Sequence, residues 1–365
     1  MTRQENDIAP VHERANERTV RTVGCTGLTR RTVLALALGA PLLHNTPVLA
    51  AETLTLSSWF PPTHPIVVNA IEPWAEQVRE ATDGEVRVRI LAKPLGSPLV
   101  HFDLAKDGIA DITYGLQSYT KGERFVLSNI AQFPFLGESA ESLSAAYWQT
   151  AVENPQIFEE HSGTHVLSLF THGPGILYNR TENPIESSDD LVGLKIRVPG
   201  GVANDVVEAL GAEQMLVSPS EIYESMSRGV IDGLTMPAET LVSYKFIDAV
   251  DNVTRIPGGL YNTTWFLVMN DDRWNSLSAE HQEAITSVSG EAFGRMQGKA
   301  WDEADAAGWE AIAEAGIPVT EADEAFLAEI EAAAAPIRQA WVDRANERGV
   351  DGAAMLESLR QKAAE

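Results

Sequence analysis

Hydrophobic and polar positions after residue 50 follow two periods in turn. "LTLSSW" (54–59) and "EVRVRILA" (85–92) repeat every second residue, which predicts strands with one covered face. Between them "HPIVVNAIEPWAEQVREA" (64–81) carries apolar side chains at helical spacing and stops at Asp83-Gly84. "HFDLAKDGIADITYG" (101–115) reads as a short helix and then a strand ending near Tyr114. Helices around 139–152 and 154–161 follow, then a strand over 164–175 broken by Gly173-Pro174-Gly175. A second set begins there: a strand in "LKIRVPGG" (194–201), a helix over 202–211, a strand in "QMLVS" (214–218) and a helix opened by Pro219 and closed by Gly229. "TTWFLVMN" (263–270) is a continuous apolar run, the pattern of a strand covered on both faces.

From Ser278 to about Ala315 nearly every residue suits a helix. Its 38 residues would extend about 57 Å, more than one small domain, so the helix either kinks at Gly290, Gly294 and Gly298 or crosses between domains. Helical stretches at 321–347 and 351–364 end the chain. Strands alternating with helices, without a hairpin signal, predict an α/β protein with mostly parallel sheets. A chain of 365 residues exceeds one ordinary core and predicts two lobes. The expected division is 53–171 with 263–310 for the first lobe and 172–262 with 311–335 for the second. Residues 336–365 are expected as helices packed on both. Lobes crossed more than once by the chain leave a cleft, where small ligands bind.

The first fifty residues stand apart. "TRRTVLALALGAPLL" (29–43) sets Arg30-Arg31 before an uncharged run of twelve residues, and "TPVLAAE" follows with small side chains. Twelve residues make a helix of roughly 18 Å, short of a bilayer core of about 30 Å. This is the layout of a cleaved export signal, with cleavage after Ala50 and the paired arginines of the twin-arginine type. Val33 in place of the usual Phe leaves general secretion open. Cys25, the single cysteine, would leave with the signal, so no thiol chemistry or cysteine metal site is expected in the mature chain. The expected location is the periplasm, as a soluble protein.

Charge narrows the partners. The chain has 27 Lys and Arg against 52 Asp and Glu. Losing residues 1–50 removes six basic and four acidic side chains, leaving 21 and 48 and a net charge of −27. Such acidity disfavours nucleic acid and anionic membranes, which would repel it. It also fits a salt-loving source.

The chain contains no G-x-S-x-G, no P-loop, no strand-borne G-x-G-x-x-G and no H-E-x-x-H, and no catalytic residue, metal or cofactor is assigned. His161 and His165 are four apart, but Gly163 between them breaks a helical presentation, so they read as separate loop histidines. Binding becomes the leading class. Arg197, at the end of an alternating strand and before Pro199-Gly200-Gly201, carries two readings: a salt bridge to a neighbouring Asp, or an anchor whose planar guanidinium matches a carboxylate in two hydrogen bonds.

"DLVGLKIRVPGG" followed by "LGAEQMLVSPSEIYESMSRGVIDGLTMP" (190–237) resembles the DctP-like solute-binding proteins of tripartite ATP-independent periplasmic (TRAP) transporters. The match rests on an ordered set: Asp190, Leu191, Gly193, Lys195, Arg197, Leu210-Gly211-Ala212, Pro219-Ser220-Glu221, Tyr223, Arg228-Gly229 and Asp232-Gly233. "NIAQFPF" (129–135) and the long helix after "VMNDDRW" extend it over the mature chain. The resemblance implies a two-domain α/β binding protein that closes on a small organic acid, with the Arg at position 197 gripping the carboxylate. It also implies a membrane permease, driven by an ion gradient, as partner. Family members often carry a second Arg where Ile176 stands here, and a polar residue where Met236 stands. Both departures point to a ligand with one carboxylate.

Trp59 and Tyr119 follow strand ends, where α/β ligands sit; each is read as ligand wall or as core. His172, before Gly-Pro-Gly, is a pocket or a loop histidine. Trp265 and Phe266 are core or cleft. Glu239 either caps the helix it begins or faces the cleft, where it would pair with an ammonium and make the ligand an amino acid or small amine. A binding protein of an ATP-driven importer is the remaining alternative.

Overall fold

The computed structural model describes residues 51–120 and 122–365; the expected export signal lies outside them. Among the described residues eleven strands form two sheets. They are β1 (Glu52–Ser57), β2 (Val86–Ile90), β3 (Ile112–Leu116), β4 (Thr164–Thr171), β5 (Ile176–Asn179), β6 (Lys195–Val198), β7 (Glu213–Leu216), β8 (Gly233–Met236), β9 (Asn252–Arg255), β10 (Thr264–Asn270) and β11 (Val319–Glu321). The first sheet runs β2-β1-β3-β10-β4 and the second β11-β9-β5-β8-β6-β7. Each is the centre of one lobe.

The alternating "VRVRI" of β2 lies at the sheet edge with Val86 buried and Arg87 and Arg89 outward, as a one-sided strand should. β10 is buried along its length except for Asn270, which matches its unbroken apolar run. The sheets are mostly parallel, as expected, with one reversed strand in each. β1·β2, β1·β3, β6·β7, β6·β8 and β9·β11 are parallel, whereas β10 is antiparallel to β3 and β4, and β5 to β8 and β9. The reason is topological. β4 runs out of the first sheet and the chain continues into β5 of the second; β9 leaves the second and continues into β10 of the first. Crossing strands enter each sheet against its prevailing direction.

The two crossings are bonded to each other: Gly175 N–H donates to Tyr261 O and Leu260 N–H to Gly175 O, both at 2.9 Å. A side chain at Gly175 would stand 2.1 Å from the Tyr261 ring, so the Gly-Pro-Gly is a close-approach requirement, not only a strand stop.

The third crossing is helical. The helical stretch from Ser278 divides into Ala279–Ser287 and Gly290–Ala315, because Gly290 takes a left-handed φ of 59°. Gly294 and Gly298 sit inside the second helix without ending it. Phe293 and Trp301 pack in the core around the first sheet, and Ile312, at the far end, in that of the second lobe. The last long helix, Glu324–Glu347, runs through Pro336, so the expected division at 336 falls inside one helix. His161 Nδ1 meets Ile157 O at 2.9 Å, and the His165 ring stacks on Trp274 at 3.7 Å; the two do not form a pair. Among the described residues no group of His, Cys, Asp and Glu could hold a metal ion.

Candidate ligand cleft

β6 alternates Lys195 outward with Ile196 inward, and Arg197, next along, is 1% exposed. It sits at the end of the strand that pairs with both β7 and β8. The turn after it has φ of 87° at Gly200 and 64° at Gly201, both left-handed. A Cβ at Gly201 would stand 2.2 Å from Gln132 Oε1. The glycines therefore let this turn of the second lobe lie against the first, where Ser118 Oγ donates to Pro199 O and Val202 N–H to Gln132 Oε1, both at 3.1 Å.

Two of the three guanidinium nitrogens of Arg197 are satisfied. Nε donates to Val217 O at 3.0 Å and Nη2 to Tyr119 Oη at 3.1 Å, while Nη1 is buried without a partner. No carboxylate forms an ion pair with it among the described residues, so the salt-bridge reading does not describe this arginine. A buried cation with a free donor is costly unless an anion completes it.

Arg197 lines a small pocket between the lobes with about 40 Å³ of free space. Trp59, Tyr119, His172, Glu239 and Trp265 line it too, joined by Phe60, Met236, Thr240, Tyr244, Tyr261 and Thr263. Six of the seven residues singled out from the sequence thus converge. Phe266 does not. Neighbours on a strand face opposite ways: the Trp265 ring stacks on Trp59 at 5.5 Å, while the Phe266 ring packs with Phe102 and Phe125 and fills the space over Gly115. Outside the pocket, sharing Trp59, Tyr119, Pro219 and Tyr244 as walls, a wider cleft of about 660 Å³ opens between the lobes.

The electrostatics of the pocket are set by burial. His172 falls to about 4 because it is buried, and the charge of Arg197 adds to this, so it is neutral at ordinary pH. Burial pushes Glu239 up to about 8; the Ser243 side chain pulls it back and nearby Asp305 pushes it further up. Asp305 rises to about 7 for the same first reason; its Oδ1 accepts the Glu239 N–H at 2.9 Å. Arg197 is then the one Lys or Arg in the described lining, which also contains a carboxyl that holds its proton.

Sequence reasoning missed Tyr244, Tyr261 and Thr263 in the lining, and His64 and Asp305 behind it. Asp305 is one of many acids on a helical face, and no local pattern marks it. His64 carried a signal only as the residue before Pro65 at a helix start.

Two lobes crossed three times by the described chain, with an aromatic-walled pocket between them around one incompletely satisfied guanidinium, have the architecture of a solute-binding protein. The model of the family described as bacterial extracellular solute-binding protein, family 7 (DctP) matches residues 56–344, and the chain belongs to that family. The protein named outer membrane transporter protein TsaT, from Comamonas testosteroni, is 32% identical over 314 residues, covering 86% of this chain and 92% of its own. Among solved structures, a TRAP periplasmic solute-binding protein from Bordetella bronchiseptica with bound (R)- and (S)-mandelate superposes with a TM-score of 0.82 at 40% identity, covering 86% of this chain and 98% of that one. A TRAP solute-binding protein from Rhodoferax ferrireducens, in complex with copurified benzoate, gives 0.79 at 28% identity, with the same two shares. The DctP resemblance read from the "DLVGLKIRVPGG" region is therefore a family membership, and the chain is a TRAP-type solute-binding receptor.

Proposed function

We propose that this receptor works in the periplasm, closes on a small aromatic monocarboxylate, and delivers it to an ion-gradient-driven permease. The observation that carries the ligand class is the unpartnered Nη1 of Arg197, buried in a pocket walled by Trp59, Phe60, Tyr119, Tyr244, Tyr261 and Trp265. A carboxylate satisfies that donor and neutralises its charge. The aromatic walls offer offset and edge contacts to an aryl body. A second carboxylate would have no cation to meet among the described lining residues and would face Glu239. The mandelate and benzoate bound by the Bordetella and Rhodoferax proteins are acids of this class. Export is supported by the family, and no helix among the described residues is long and apolar enough to cross a membrane.

Calorimetry with benzoate, mandelate and succinate tests the reading. The aryl acids should bind and succinate should not, and Arg197→Ala should weaken the aryl acids by about thirtyfold or more, the cost of truncating one side of a buried charge pair. Unchanged affinity in Arg197→Ala, or tighter binding of succinate, would overturn it.

A further inference from the structure

We propose that Glu239, backed by His64, forms a second, hydrogen-bonding pole of the pocket, which reads a hydroxyl group on the ligand. The preferred ligands are then hydroxy-substituted aryl monocarboxylates; this rests on the aryl-acid reading above.

Glu239 follows Pro237 and Ala238 at the end of β8 and lines the same pocket as Arg197. It is 1% exposed, and neither carboxyl oxygen has a partner. Asp305 Oδ1, from the long helix, holds its backbone N–H, so the backbone is fixed there, while the carboxyl has the Ser243 side chain nearby but no formed hydrogen bond. Two unpartnered oxygens on a buried side chain are costly unless a ligand meets them.

His64 stands beside it, with Nε2 3.7 Å from Glu239 Oε2. The Ile66 N–H donates to His64 Nδ1 at 3.3 Å, so that nitrogen is bare and the ring proton is on Nε2, on the side of Glu239. Burial holds His64 down to about 3, so the ring is neutral. At 3.7 Å the His64 Nε2–H is too far from Oε2 to satisfy it, so Glu239, with its proton retained, keeps an O–H and an acceptor oxygen for the ligand, and the neutral ring beside it adds no charge.

The other ionisable groups of the site are Arg197, in the same lining, and Asp305 behind Glu239, itself raised by burial. One cation and one neutral acid match a ligand with one carboxylate and one neutral hydroxyl. An ammonium would need Glu239 ionised; an ionised Glu239 would repel the carboxylate bound at Arg197.

Calorimetry at pH 7 on the full mature protein compares mandelate with phenylacetate and 3-hydroxybenzoate with benzoate, with phenylglycine as the amine probe. At least one hydroxy acid should bind tenfold or more tightly than its parent. Glu239→Gln, which can still donate, should keep the preference; Glu239→Leu should bring the ratio to within twofold, with Glu239→Ala as a second truncation should the Leu variant not fold. Ratios near one in both wild-type pairs, or a ratio intact after truncation, overturn the proposal. Phenylglycine binding more tightly than mandelate overturns it in favour of an ammonium site. If none of the four acids binds, the aryl-acid reading fails and takes this one with it.

Discussion

The Tyr119 phenol accepts a hydrogen bond from Arg197 Nη2 at 3.1 Å, and the two residues belong to different lobes. Tyr119 ends the short 3₁₀ turn Gln117–Tyr119 after β3 of the first sheet; Arg197 is on β6 of the second. The guanidinium proposed to grip the carboxylate is thus oriented across the lobe boundary by a group of the first lobe. Under the proposed closure, anion recognition and lobe contact share one side chain.

Tyr119→Phe removes that bond while keeping the ring that packs on Trp59 at 5.9 Å. Losing one hydrogen bond to a charged group costs about 1.5–3 kcal/mol, so affinity for benzoate should fall at least tenfold. The loss should appear mainly in dissociation, because bonds completed in the closed state govern how long it lasts. Stopped-flow tryptophan fluorescence measures both rates. An unchanged dissociation rate would mean that Tyr119 plays no part in holding the closed form.

Stability should peak near pH 6.5. His64 is held down to about 3, and His101, His161, His165 and His172 to about 4, in each case first by burial. In the unfolded chain each takes up a proton near 6.5, so the stability they allow is present above 6.5 and lost as pH falls toward 4. Glu239 and Asp305 act the other way. Raised to about 8 and about 7, they keep protons that the unfolded chain releases near 4, so their cost grows as pH rises through that window. Five groups against two make the acid limb win below 6.5; above it only the acids remain, and the curve turns down. Melting temperature measured from pH 4.5 to 9 checks this, with Glu239→Gln expected to flatten the alkaline limb. A melting temperature still rising through pH 8 would contradict the assignment.

Much of the candidate site is legible because its residues sit where local rules place them. Strand ends face the cleft in an α/β lobe, and that rule marks Trp59, Tyr119 and Arg197. Strand parity is a different matter. Trp265 and Phe266 lie in a run apolar at every position, and a strand buried on both faces carries no pattern to say which side is the pocket. The family-like stretch around Arg197 is mostly architecture: Asp190 Oδ2 accepts from the Ser187 N–H and hydroxyl to start a helical turn, and Asp232 Oδ2 accepts the Lys195 N–H. The antiparallel entries of β5 and β10 depend on where the chain crosses, and Asp305 reaches Glu239 across 66 residues. Those are tertiary facts, with no counterpart in a local window.

The glycines of the long helix should separate into two kinds. A Cβ on Gly308 would stand 2.3 Å from Ala238 O and 2.7 Å from Glu239 N. The helix cannot back away there, because Asp305, one turn earlier, is bonded to the Glu239 N–H. Gly308→Ala must therefore displace the loop that presents Glu239, at about 1–3 kcal/mol of stability, and should weaken ligand binding with it. Gly294 faces a different situation: its nearest neighbour would be Leu169 O at 3.5 Å, an ordinary contact. Gly294→Ala should gain the helix propensity that glycine forfeits, up to about 1 kcal/mol, and leave binding alone. Denaturant unfolding of the two variants, with calorimetry on each, compares one substitution at two points of one helix. Opposite signs are expected, and equal effects would show that the approach of the helix to Ala238 is looser than 2.3 Å implies.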